Sequence, residues 1–123
     1  MPGVTVLIAD DHRLFAEALA AMLSSDDRIE VVGRAANGAD AVRLAREYRP
    51  DVVLMDLSMP VLDGIEATRQ IAGRLNGTRV LVLTGSAAPA DVDRARTAGA
   101  AGYVTKDLIA DDLVRAILDV AGR

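Results

Sequence analysis

The sequence has no cysteine and few aromatic residues. Its 123 residues include one phenylalanine, two tyrosines and no tryptophan, so that aromatic residues make up only 2% of the chain. The absence of cysteine excludes disulfide bonds and thiolate metal sites, although it does not assign a compartment. Hydrophobic residues still form 51% of the chain, which is too high for a disordered segment. The core must therefore be aliphatic.

Several other features are missing. No run of about eighteen apolar residues is present, so no membrane span is expected. The first residues carry no basic segment, and a signal peptide is not expected. The net charge is −4 and no basic stripe is visible, which disfavours direct contact with nucleic acid. Without a long linker or repeat, residues 1–123 are expected to form one domain.

Strand and helix patterns alternate five times along the chain. Apolar runs predict strands over residues 4–9, 29–36, 52–55, 80–83 and 101–105. Helical spacing of apolar residues follows the first, second, third and fifth runs, and a fourth helix whose only large apolar residue is Val92 follows the fourth run. Such alternation is typical of an α/β protein with a parallel sheet and helices on both faces. Ligands bind such sheets at the carboxyl ends of the strands.

Polar residues end four of these predicted strands. They are Asp10 and Asp11, Asp56, Thr84 and Lys106. Parallel strands bring these groups to one edge, where clustered carboxylates favour a hard divalent cation such as Mg²⁺. Asp56 is placed to attack phosphorus as a nucleophile. Lys106 and the Thr84 hydroxyl would then offset the charge of a phosphoryl group.

The residues around these strand ends resemble the receiver domain of two-component response regulators. The matching segments are IADDH at 8–12, MDLSMPVLDG at 55–64, LTG at 83–85 and GYVTK at 102–106. They occur in the family's order and span nearly the whole chain. The resemblance implies a flavodoxin-like, doubly wound (βα)5 fold with a five-stranded sheet of order 2-1-3-4-5.

The resemblance also implies a role for each residue. Asp56 would be the phosphoacceptor, and Asp10 and Asp11 would be the acidic pair, with Asp11 a direct ligand of Mg²⁺ or Mn²⁺. The main-chain carbonyl of Ser58 would complete the metal contacts. Thr84 and Tyr103 would form the switch pair, and Lys106 would contact the phosphoryl group. Pro60 and Gly64 shape the turn after the third strand, and Gly64 is expected to adopt a positive φ.

One departure from the family pattern concerns the residue after Lys106. Many members have a proline there, in a cis peptide, whereas this chain has Asp107. A cis bond before a non-proline residue costs about 3–4 kcal/mol, so a trans bond is expected.

The sequence pattern of residues 10–15, together with Lys106-Asp107, resembles the NarL/FixJ (LuxR-type) class of response regulators. Members of that class usually carry a C-terminal helix-turn-helix DNA-binding domain, and no such domain is present in these 123 residues. The resemblance implies a cytoplasmic, transcription-regulating protein, with a sensor histidine kinase as phosphodonor and a possible homodimer. Phosphorylation would change the surface formed by the fourth helix, fifth strand and fifth helix. The domain would not act as an enzyme on other substrates.

Other interpretations remain open. An aspartyl-phosphatase would need a second carboxylate two residues after Asp56, where Ser58 stands, and a flavin module would need a phosphate loop after the first strand. One acid of the pair could cap the first helix. Tyr103 could be a core residue. His12 is interpreted as a structural residue rather than a ligand. The alanine-rich fourth helix is either a small surface helix or an element of low stability that moves.

Overall fold

Strands and helices alternate from the first described residue to the last. The computed structural model describes residues 3–57, 59, 62–85 and 89–122, with the backbone alone for 108–111. The strands are β1 (Val4–Ala9), β2 (Ile29–Ala35), β3 (Val52–Asp56), β4 (Arg79–Thr84) and β5 (Gly102–Thr105). The helices are α1 (Arg13–Ser24), α2 (Gly38–Tyr48), α3 (Gly64–Arg74), α4 (Pro89–Ala98) and α5 (Ile109–Val120). A single 3-10 turn, Lys106–Leu108, joins β5 to α5.

The strands form one parallel sheet in the order β2-β1-β3-β4-β5. The flavodoxin-like doubly wound fold and its strand order are therefore confirmed. The register aligns the carboxyl ends: Ala9 pairs with Met55, Asp56 with Leu83, and Thr84 with Thr105. The polar residues at or just after these positions consequently meet at one edge of the sheet.

Two apolar layers cover the two faces of the sheet. One layer buries α2, α3 and α4 against β-strand residues such as Leu7, Val53 and Met55. The other buries α1 and α5 against residues such as Ile8 and Leu54. The large side chains at the centre of both layers are aliphatic, as the shortage of aromatic residues predicts. No helix among the described residues is long and apolar enough to cross a membrane.

Short polar contacts fix where strands and helices begin. The backbone N–H of Thr5 donates to Asp51 Oδ2 at 3.0 Å, and the N–H of Asp51 donates to Thr5 Oγ1 at 2.9 Å, which ties β1 to the start of β3. Asn37 and Asp63 cap α2 and α3, because each side chain accepts a hydrogen bond from the backbone N–H three residues later. The cap at Asp63 sets the start of α3 close to the end of β3.

Gly64 differs from its predicted conformation. Among the described glycines only Gly99 and Gly122 have positive φ, so the expectation of a positive φ at Gly64 is wrong. Gly64 begins α3, where a Cβ atom would lie 2.2 Å from the carbonyl oxygen of Asp56 and 2.7 Å from the Cα of Leu57. Glycine is required there because the helix start packs against the backbone that follows β3. Pro60, the other predicted turn residue, lies outside the described residues.

Predicted and observed strand ends differ by one residue at several places. β2 ends at Ala35, β3 extends to Asp56, β4 runs from Arg79 to Thr84, and β5 begins at Gly102. The backbone of Asp56 and Thr84 continues the parallel ladder, so each is the last residue of its strand rather than the first residue after it. Both predicted site residues are thus held by strand geometry rather than by a loop.

Candidate phosphoacceptor site at the carboxyl edge of the sheet

Two buried carboxylates from neighbouring strands form the centre of the site. Asp56, the last residue of β3, is 4% exposed, and Asp10, which directly follows β1, is 3% exposed. Charged groups are almost never this deeply buried unless they are paired or bind a metal. The burial of two such groups side by side indicates that a cation belongs at this edge.

Lys106 supplies one positive charge to both carboxylates. Its Nζ lies 3.5 Å from Asp56 Oδ1 and 3.4 Å from Asp10 Oδ2, with the side chain one quarter exposed. The residue stands directly after β5, so its long side chain reaches back past the end of β4 to β3 and β1. No cis peptide occurs among the described residues, which confirms the expected trans bond between Lys106 and Asp107.

The acidic pair turns the chain from β1 into α1. Asp10 Oδ1 accepts a hydrogen bond from the backbone N–H of His12 at 2.8 Å, while the residue at the N-cap position of α1 is His12 itself. The interpretation of one aspartate as the N-cap of α1 is therefore wrong, because Asp10 accepts a hydrogen bond from the N-cap residue itself and not from the first turn of the helix. Asp11 is exposed, with one third of its side chain accessible, and lies at the same edge.

The donor set suits a divalent cation. Asp10, Asp11, His12 and Asp56 each offer one ligand atom, and these atoms all lie within 4.8 Å of one another. Asp10 Oδ2 is buried and accepts no hydrogen bond among the described residues, and the Lys106 ammonium lies 3.4 Å from it. Carboxylate oxygens are the ligands that Mg²⁺ prefers. Ser58, predicted to add a main-chain carbonyl, lies outside the described residues.

His12 lies closer to the acids than its interpretation as a structural residue implies. Its Nδ1 is 3.3 Å from Asp10 Oδ1 and 3.4 Å from Asp11 Oδ1, although two thirds of its side chain is exposed. The signal for this proximity is the adjacency of the three residues in a tight turn between a strand and a helix.

Thr84 and Tyr103 occupy the other side of the site. Thr84 ends β4, is 6% exposed and is adjacent to β3 in the sheet. Tyr103 on β5 is 38% exposed, which rules out the alternative that it is a core residue. The guanidinium of Arg96 on α4 lies 5.8 Å from the centre of the Tyr103 ring, a cation–π distance. The outward Tyr103 is thus held against α4.

Two aromatic contacts were missed by sequence reasoning. Arg96 contacts Tyr103, and the ring of Phe15 on α1 lies beneath Lys106, with 4.7 Å between Nζ and the ring centre. Phe15 and Lys106 are far apart in sequence and are brought together by the sheet order, whereas Arg96 and Tyr103 lie on the consecutive elements α4 and β5. The scarcity of aromatic residues is the one sequence signal that could have drawn attention to them.

Comparison with known proteins identifies the family. The family model described as response regulator receiver domain matches residues 6–118. The response regulator GacA of Pseudomonas aeruginosa is 41% identical over 117 residues, which cover 95% of this chain and 55% of that protein. The transcriptional regulatory protein LiaR of Bacillus subtilis is 43% identical over 93% of this chain and 54% of its own length.

Solved structures agree with the sequence comparison. The receiver domain of the putative response regulator NarL from Mycobacterium tuberculosis superposes with a TM-score of 0.94 at 39% identity, and each chain is covered completely. A LuxR-family response regulator from Aurantimonas has a TM-score of 0.91 at 38% identity over 98% of this chain and 87% of that one. The chain spans about half the length of the curated relatives it matches. It belongs to the receiver-domain family of response regulators, and its relatives are of the NarL and LuxR type.

Proposed function

We propose that this domain is a phosphorylation-activated signalling switch, with Asp56 as the acceptor of a phosphoryl group from a sensor histidine kinase. The observation that carries the proposal is the placement of Asp56. Its carboxylate is almost fully buried at the carboxyl edge of the sheet, 3.5 Å from the Lys106 ammonium and beside a second buried carboxylate. Membership of the receiver-domain family supports the same assignment.

The chemistry at Asp56 is a phosphoryl transfer. A carboxylate oxygen of Asp56 forms a bond to phosphorus while the P–N bond of the donor phosphohistidine breaks, and the electron pair of that bond leaves with the imidazole. Because such transfers depend on positioning and electrostatics, few groups are needed. Lys106 neutralises charge on the phosphoryl oxygens, and the Thr84 hydroxyl donates to one of them.

Mg²⁺ is the proposed metal, with Mn²⁺ as an alternative. Asp11 and Asp56 would be direct carboxylate ligands, Asp10 would support them, and the carbonyl of Ser58 would complete the protein's share. When bound, the cation neutralises the clustered carboxylates and the incoming phosphoryl oxygens. The grouping of four possible ligand atoms within 4.8 Å of one another supports a cation at this place.

The proposed output is a repacking of the surface formed by α4, β5 and α5. Movement of Thr84 toward the phosphoryl group would vacate space that Tyr103 enters, and the contact between Tyr103 and Arg96 would open. Phosphate then shifts the population between two packings. α4 suits this role because Ala95 and Ala98 are its only buried side chains among the described residues.

The relatives support the proposed partners. Several are transcriptional regulators, and the chain matches about half of their length. We propose that the receiver controls a helix-turn-helix DNA-binding domain in the whole protein, by dimerisation or by release of that domain. The receiver itself would not contact nucleic acid, because the chain carries a net charge of −4. Catalysis would be limited to its own phosphorylation and dephosphorylation, since Ser58 stands where an aspartyl-phosphatase needs its second carboxylate.

Intact-mass measurement tests the proposal. The protein is incubated with acetyl phosphate with and without Mg²⁺, as wild type, Asp56→Asn and the control Asp119→Asn, which alters an exposed aspartate on α5. We expect one phosphoryl group on the wild type and the control, dependent on Mg²⁺, and none on Asp56→Asn. A phosphoryl group on Asp56→Asn would contradict the proposal.

A further inference from the structure

The ammonium of Lys106 is bounded by three groups from three different elements. Asp10 after β1 and Asp56 at the end of β3 approach it at 3.4 and 3.5 Å, and the ring of Phe15 on α1 lies 4.7 Å away. The two carboxylates attract the charge, but both are also the groups that a metal and a phosphoryl group would engage. Only the Phe15 contact is independent of that chemistry.

An aromatic face suits this position better than a third polar group. The ring attracts the ammonium through its quadrupole without accepting a directed hydrogen bond. A lysine ammonium has three N–H donors, and a ring beneath it leaves them available for oxygen atoms on the other side. A carboxylate or carbonyl in place of the ring would compete with the phosphoryl oxygens for the same donors.

Phe15 is itself held in place by the core. It lies in the first turn of α1 and packs, half-buried, against the apolar layer between the sheet and helices α1 and α5. Lysine side chains are long and flexible, and Lys106 is one quarter exposed. The ring therefore adds a rigid contact to the ion pairs with Asp10 and Asp56 that also hold this side chain.

We propose that Phe15 is a positioning residue for phosphoryl transfer: its ring holds the Lys106 ammonium over Asp56. The inference rests on the proposed function of Asp56, and it adds a residue with a role in that chemistry. The alternative to this proposal is that Phe15 serves only as a hydrophobic core residue. In that case the contribution of the ring would not depend on the charge of Lys106.

The composition of the chain permits an unusually clean test. Phe15 is the only phenylalanine and Lys106 the only lysine in the sequence. Growth of a phenylalanine auxotroph on mono-, di- or trifluorinated phenylalanine thus alters the ring at position 15 alone. Fluorination weakens the negative face of the ring while it keeps the ring's shape.

The first measurement is the rate of phosphorylation by acetyl phosphate with Mg²⁺. We expect a stepwise decrease with fluorine number that reaches about 3- to 10-fold, the range of a partly desolvated cation–π contact. Phe15→Leu should lose a similar factor, whereas Phe15→Tyr, which retains an aromatic face, should stay within about 2-fold of wild type. A rate that does not change along the fluorine series overturns the proposal.

The second measurement does not depend on phosphorylation. The urea midpoint is compared along the same fluorine series in the wild type and in Lys106→Met, where position 106 carries no charge. We expect fluorination to lower the midpoint in the wild type and to have a smaller effect in Lys106→Met. Equal effects in the two proteins would show that the ring acts only by packing, and would overturn the proposal. Failure of the wild type to accept phosphate would instead count against the function proposed for Asp56.

Discussion

Replacement of Lys106 by methionine tests the electrostatic balance of the site. Methionine keeps a flexible apolar side chain of similar length, so the main change is loss of the positive charge. Lys106 contacts two nearly buried carboxylates, at 3.4 and 3.5 Å. At an effective dielectric constant of about 20, each contact has a Coulomb energy of about 5 kcal/mol before desolvation is subtracted.

The net effect is smaller than this gross attraction. Removal of one partner from a buried ion pair typically costs about 3–5 kcal/mol, because the remaining charge stays buried and unpaired. Lys106 is one quarter exposed, and water screens part of its interaction. We therefore expect Lys106→Met to lower the free energy of unfolding by about 2–3 kcal/mol without metal.

Urea unfolding at neutral pH, with EDTA or with millimolar Mg²⁺, measures this change. A divalent cation bound to the same carboxylates should reduce the loss, because it supplies charge that the variant lacks. The control Arg79→Met removes an exposed charge at the start of β4 and should change stability by less than about 0.5 kcal/mol. An unchanged stability of Lys106→Met in EDTA would refute the inference that Lys106 neutralises the buried acids. The variant should also impair the response to phosphorylation more than it weakens Mg²⁺ binding.

Three further predictions concern other parts of the chain. Asp11→Asn should raise the melting temperature of the metal-free protein slightly, because it relieves like-charge repulsion, and should weaken Mg²⁺ binding in a calorimetric titration; a lower melting temperature would contradict this. Gly64→Ala should destabilise the domain by about 1–3 kcal/mol, since its Cβ would meet backbone at 2.2 Å, whereas Gly73→Ala in the same helix meets nothing and should stabilise by up to about 1 kcal/mol. Changes of the same sign in the free energy of unfolding of Gly64→Ala and Gly73→Ala, measured with urea, would refute the packing argument. Hydrogen bonds from Arg28 lower the pKa of Asp26 from 3.8 to about 2, so the stability they provide is present above pH 3.8 and is lost as the pH falls toward 2. The free energies of unfolding of Asp26→Asn and wild type should therefore differ at neutral pH and converge in acid. A difference that stays constant with pH would contradict this prediction.

The sheet and most of the site could be predicted from the sequence because both follow from the same pattern. Apolar runs that end in Asp10, Asp56 and Thr84 define parallel strands, and the parallel arrangement brings their ends together. A glycine at position 64 was expected to serve a positive φ, and this reason is wrong. The sequence shows that the residue is small but does not show whether its backbone dihedrals or close packing require glycine. The structure shows that close packing against the backbone of residues 56 and 57 requires it.

Contacts between distant side chains could not be predicted in the same way. The positions of Phe15 beneath Lys106 and of Arg96 against Tyr103 depend on which helices flank which strands, and on rotamers. Helical periodicity marks Phe15 as a residue of the buried face and gives no sign of the cation above it. The exposure of Tyr103 likewise depends on how the helices pack beside β5, which no local pattern encodes.

The most direct test of the central claim is to locate the phosphoryl group on the chain. The protein is phosphorylated with acetyl phosphate and Mg²⁺, reduced with borohydride, which converts an aspartyl phosphate to homoserine, and sequenced by tandem mass spectrometry. The account predicts homoserine at position 56 in the wild type and an unmodified aspartate or glutamate at every other acidic position. Homoserine at Asp10 or Asp11, with aspartate retained at position 56, would contradict it.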